Sequence, residues 1–191
     1  MGHVPRERSR PSLAGILRLV TDRRDAPAEG FADLLAANAA FAERFTSSGL
    51  DGVARLGVGI VTCMDSRIDP LGMLGLKAGD AKILRDLGAR VTDEVLAGLV
   101  IATNLLGVTR VLLVAHTRCA AVSNSQAALR DRVGRNAHAD ASWMSFRVVR
   151  DQAIALREDV AKVRSHPLVP AGTLVGGFIY DVDTGLLRQI H

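Results

Sequence analysis

The sequence predicts an α/β fold built on a mainly parallel β-sheet, and three observations predict it. Short β-branched runs alternate with longer stretches of helical periodicity, the pattern of strand–helix–strand units. The runs "RLGVGIVT" (55–62) and "TRVLLVAH" (109–116) are apolar at odd and even positions alike, as in strands buried on both faces. Capping and turn residues punctuate each change of pattern.

Residues 1–27 mix Arg, Pro, Ser and Gly around one short apolar piece and read as a basic N-terminal arm. Residues 28–191 read as a single α/β domain. From Ala28, apolar residues at helical spacing (Phe31, Leu34, Leu35, Phe41, Phe45) predict a helix that Gly49 ends. The first strand follows over 55–62. Pro70 predicts a short helix start. A second strand falls at Ala81 to Arg85. Thr92 caps the next helix, Asp93 and Glu94 suit its positive end, and Gly107 closes it. The strand "TRVLLVAH" comes next, then a polar helical stretch through the 120s and early 130s. Residues 140–166 read as one long amphipathic helix stopped by Pro167. The end, "GTLVGGFIYDVDTGLLRQI", reads as a strand, a turn at Asp183–Gly185 and a returning edge strand.

Composition excludes some function classes. Six arginines against Glu7 and Asp22 in residues 1–24 account for the whole formal charge of +4. The rest of the chain, from residue 25 on, is neutral by formal count and lacks the basic footprint of a nucleic-acid binder. Aromatic residues make up 4% of the chain, too few for base-stacking platforms. No stretch approaches the roughly 20 apolar residues of a membrane helix. "LAGILRLV" is short, interrupted by Arg18, and does not read as a signal peptide. With two cysteines and no such signal, a reducing cytoplasm is the expected location.

Those cysteines, Cys63 in "VTCMDSRID" and Cys119 in "AHTRCAA", each directly follow a predicted strand. In such sheets, sites form beyond the carboxyl ends of strands. Cys63, His116 and Cys119 make a Cys₂His set, with His-x-x-Cys on one turn. Three protein ligands leave zinc an open position, the catalytic rather than the closed structural pattern. Asp65 and Arg67 lie two apart on an extended segment, so their side chains face the same way and can pair. Such a carboxylate can orient a metal-bound water while the arginine holds it off the metal; if the pair broke, Asp65 could become a fourth ligand. Taken singly, each piece has a plainer explanation: an inert buried thiol, a chance His-x-x-Cys, a loop salt bridge. Their coincidence at two strand ends favours a metal site. A redox pair is disfavoured because no Cys-x-x-Cys is present. His3, His138, His166 and His191 read as solvated, and Trp143, Met144 and Phe146 as helix packing or an interface.

With "CMDSR", "GDAKILRDLG", "HTRC", "SHPLVP" and "YDVDTG", the chain from about Arg55 to Ile190 resembles a β-class carbonic anhydrase of the short prokaryotic type. The resemblance implies Zn²⁺ on Cys63, His116 and Cys119, Asp65 and Arg67 as a catalytic dyad, and substrate contacts at Gly88 and Ala120. It implies four parallel strands plus an edge strand, and a homodimer or higher homo-oligomer with an N-terminal helical arm crossing to the partner. The implied reaction is reversible hydration of CO₂ to bicarbonate and a proton, by attack of zinc-bound hydroxide. Three departures stand out. The family usually has Asp and Gly around the second cysteine, where this chain has Arg118 and Ala120. Its usual Asn-Ala-Gly is Asp86-Leu87-Gly88 here. These departures motivate two alternatives: a zinc hydrolase of carbonyl sulfide or carbon disulfide, and a catalytically silent zinc-binding dimeric module.

Overall fold

A computed structural model describes residues 30–191, in two units divided after Ser48. The expected basic arm over 1–27 lies outside the described residues, as does His3. In the first unit, helix α1 spans Ala32–Ala42, shorter than the span expected from Ala28 to Gly49. None of its residues is buried, and Phe31, Leu34, Leu35 and Phe41 are exposed.

The second unit carries one five-stranded sheet. Its strands are β1 (Val58–Thr62), β2 (Ala81–Arg85), β3 (Arg110–His116), β4 (Leu174–Tyr180) and β5 (Leu187–Gln189). They lie in the order β2-β1-β3-β4-β5, four parallel and β5 antiparallel on β4. All five residues of β1 are buried, as its apolar run on both parities requires. The helices of this unit are α2 (Asp93–Leu105), α3 (Ala120–Ser123), α4 (Gln126–Ala137) and α5 (Gln152–Arg164). Leu96 and Leu99 of α2 and Leu156, Val160 and Val163 of α5 pack with Val61, Val111 and Leu113 in the main core. The opposite sheet face gathers Val58, Ile60 and Val114, with half-buried Ile83, Leu112 and Phe178 around them.

Local signals explain most element ends. Thr92 Oγ1 accepts the Val95 amide at 3.3 Å and starts α2. Gly107, at φ 74°, ends the connection after it, where an added Cβ would lie 2.8 Å from Val53. The segment from Pro70 forms only a 3₁₀ turn, Gly72–Leu74.

The long helix expected over 140–166 is a correction: only Gln152–Arg164 is helical. Polar side chains capture the backbone first. Asp140 accepts from the amide and hydroxyl of Ser142, and Asp151 caps α5 by accepting from the Ala153 and Ile154 amides. The Val149 amide bonds to Ala121 O, and Arg147 sits at φ 48°. Trp143 is consequently in a loop and 76% exposed rather than packed along a helix. His191 is half-buried, with Nε2 3.0 Å from Ala153 O, and His138 is exposed as expected.

Two carboxylates tie the layers together. Asp159, buried on α5, accepts from Arg90 Nε at 2.6 Å, Arg90 Nη2 at 3.1 Å and the Val91 amide at 3.2 Å. Asp80, at the entry to β2, accepts from the Lys77 amide at 2.9 Å and from Arg55. The Lys77 amide holds the Asp80 carboxyl below the usual carboxylate range against the opposing effect of burial, and Arg55 adds to it.

Two outcomes follow from these ties. Asp159→Ala leaves Arg90 with only the longer, exposed contact to Glu158 and lowers the unfolding free energy by about 3 kcal/mol in urea titrations. A depressed folded-state pKa contributes stability above the unfolded carboxyl pKa and loses it as pH falls. The stability difference between wild type and Asp80→Asn is therefore steady through pH 5–8 and shrinks below about pH 4.

Candidate metal centre

The parallel pairing of β1 with β3 sets Thr62 beside Val114, so the chain leaves both strands side by side. Cys63 follows one strand, and His116 ends the other. Their ligand atoms and that of Cys119 lie within 4.8 Å of one another, and all three residues are buried.

His116 is fully buried, and its Nε2 has no hydrogen-bond partner among the described residues. Its Nδ1 lies 2.9 Å from Thr117 O. That contact puts the proton on Nδ1 and leaves the Nε2 lone pair facing the two sulfurs. Gln152 Nε2 donates to His116 O at 2.9 Å, fixing the ligand backbone from the start of α5.

The sulfurs sit among backbone donors. The Cys119 thiol donates to Cys63 and holds it far below the ordinary thiol range, and the amides of Gly88 and Asp65 add to this. Cys119 is pushed up by its thiolate neighbour, while the Ala121 and Val122 amides pull the other way. Two sulfurs and an imidazole lone pair, each supported from behind, fit a zinc ion, which Cys63, His116 and Cys119 would hold.

Asp65 and Arg67 form the expected pair. Arg67 donates through its backbone amide (3.0 Å) and Nε (2.9 Å) to Oδ1, and through Nη2 (2.7 Å) to Oδ2. The Arg67 side chain holds the Asp65 carboxyl well below its usual range. Asp65 Oδ2 is 3.9 Å from His116 Nε2, at the edge of the three-donor set.

A cleft of about 450 Å³ opens here, lined by Met64, Asp65, Ser66, Arg67, Leu87 and Ala120 with the two cysteines. Met64 is 67% exposed on its wall. Ala120 begins α3, where the first amides of a helix lack intrahelical partners. Gly88 meets the site through the sulfur of Cys63. It adopts φ 70°, and a Cβ there would lie 3.3 Å from that of Ala121.

Sequence reading missed Arg85. Its Nε donates to Cys63 O at 2.9 Å, and its Nη2 to Asp65 O at 2.6 Å and Ile68 O at 3.3 Å. The only signal was a guanidinium at the carboxyl end of β2, beside the strand that delivers Cys63.

Comparison with known proteins agrees with this geometry. Residues 58–151 match the carbonic anhydrase family model. The chain is 33% identical over 137 residues to β-carbonic anhydrase 1 of Mycobacterium tuberculosis, covering 70% of this chain and 81% of that protein. The crystal structure of a carbonic anhydrase from Streptococcus mutans superposes with a TM-score of 0.77 at 37% identity, over 84% of this chain and 97% of the other. A carbon disulfide hydrolase of Acidithiobacillus thiooxidans is 27% identical over 154 residues, covering 69% of this chain and 76% of that enzyme. The chain belongs to the β-carbonic anhydrase family.

Replacing Cys63 by Ser lowers bound zinc, measured by metal analysis after gel filtration, from about one ion per chain to a small fraction of that. Gly88→Ala strains the support of Cys63 and weakens zinc affinity by about tenfold or more in chelator competition.

Proposed function

We propose that this chain catalyses the reversible hydration of carbon dioxide to bicarbonate and a proton, using zinc held by Cys63, His116 and Cys119. The observation that carries the reading is an open three-donor set bordered by a carboxylate whose two oxygens are both engaged by Arg67. Bound zinc supplies a Lewis acid that makes water acidic enough to act as a nucleophile near neutral pH. Asp65 accepts a hydrogen bond from the reacting water and so fixes which lone pair faces the carbon of CO₂. Arg67 keeps that carboxylate ionised and turned to its acceptor role. Met64, Leu87 and Ala120 present an apolar wall that suits an uncharged linear substrate and does not retain the charged product. The Ala120 amide is free to hydrogen-bond a substrate oxygen, and Gly88 acts through Cys63.

A second reading keeps the centre and changes the substrate to carbonyl sulfide or carbon disulfide. The apolar side chain of Leu87 in the cleft and the likeness to a carbon disulfide hydrolase favour it.

The proposal includes a homodimer or larger homo-oligomer. The exposed apolar residues of α1 support it, as does the half-covered sheet face around Ile83, Leu112 and Phe178. Two free, buried cysteines suit the reducing cytoplasm as its location. No helix among the described residues is long and apolar enough to cross a membrane.

Stopped-flow CO₂ hydration on zinc-replete protein tests the reading. The wild type is active, and Asp65→Asn retains zinc while kcat falls by about 10²-fold. Sulfide release from carbon disulfide with negligible CO₂ hydration decides for the second reading. Inactivity on all three substrates leaves a silent zinc-binding module.

A further inference from the structure

Arg118 stands beside Cys119 in a left-handed conformation, φ 54°. Its backbone and side chain perform two separate tasks. Its carbonyl accepts from Arg67 Nη2 at 3.3 Å. Its guanidinium pairs with Asp183 in the turn between β4 and β5. That turn is fixed to the metal loop: the Val182 amide donates to Thr117 Oγ1 at 3.1 Å, and the Thr117 amide to Tyr180 O at 2.9 Å. Asp183 is therefore held close to the dyad, and its charge reaches the Arg67 guanidinium.

The hydrogen bonds of Arg67 use its backbone amide, Nε and Nη2; Nη1 makes none among the described residues. Arg67 thus has one committed carboxylate, Asp65, and a second within electrostatic reach, with donor capacity to spare. What occupies Asp183 is Arg118.

We infer that Arg118 is a positioning residue that sequesters Asp183, so that Arg67 remains committed to Asp65. The inference rests on the dyad having the role proposed above. Without Arg118, Asp183 draws the Arg67 guanidinium toward itself through the uncommitted Nη1, and Arg67 is pulled out of the geometry in which Nε and Nη2 fix Asp65. The damage from losing Arg118 therefore depends on Asp183 being charged. A merely structural strap behaves differently, because loss of either end is then equally harmful.

The test is a double-mutant cycle with two readouts on zinc-loaded protein. One is CO₂ hydration. The other is the Nε–H NMR resonance of Arg67 in ¹⁵N-arginine-labelled protein, assigned by its loss in Arg67→Lys. Arg118→Ala lowers kcat/KM by about fivefold and shifts or broadens the Arg67 resonance, a size in keeping with a solvent-exposed pair. Asp183→Asn leaves both readouts near wild type. The Arg118→Ala/Asp183→Asn double variant returns both to within about twofold of wild type. The inference is overturned if Asp183→Asn is as harmful as Arg118→Ala, or if the double variant is no better than Arg118→Ala. Should wild type fail to hydrate CO₂ while the resonance follows this pattern, the hydration reading fails and the sequestration stands. Should wild type hydrate CO₂ while the resonance ignores Arg118→Ala, the sequestration fails and the hydration reading stands.

Discussion

The parallel pairing of β1 with β3 is the constraint on which the rest depends. Parallel strands deliver their carboxyl ends to the same edge of the sheet. With Thr62 level with Val114, Cys63 and His116 leave neighbouring strands within reach of one point. The pairing is secured from inside, because all of β1 and the last four residues of β3 are buried. The register also decides which side chains face the core, since a slip of one residue would turn each strand over. Core packing and ligand placement are thus one requirement.

Around that point the chain supplies what the donors need. The lone pair of His116 is bare because Thr117 O occupies the opposite nitrogen. The sulfurs have amides behind them from Asp65, from Gly88 and from the first turn of α3. Asp65 is held by an arginine on its own segment, and that arginine is itself steadied by the Arg118 carbonyl of the neighbouring loop. The departures from the family pattern, Leu87, Arg118 and Ala120, fall on the cleft and its rim and not on the donors.

Much of this was legible in the sequence because the signals were local. A both-faces apolar run identified β1 and β3, and Thr92 marked the start of α2. Cys63, Asp65 and Arg67 share one segment, so their spacing alone implied their relation. The 140–151 segment misled because apolar residues at helical spacing do not reveal that Asp140 and Asp151 bind the backbone first. Arg85 and Gln152 were invisible for another reason. Each acts on backbone carbonyls of a segment far along the chain, and a carbonyl carries no sequence signature. The same holds for Asp183, which meets Arg118 only once β4 lies beside β3.

Arg85 draws three carbonyls of the 63–68 loop to its own side. The loop's shape is thereby written in main-chain groups, which every residue type possesses. Side chains that face outward from it, such as Met64 and Ser66, are released from any duty of holding the loop in place. Loop shape and substrate range become separable traits: the first is anchored in main-chain groups, the second is left to side chains that can change one at a time.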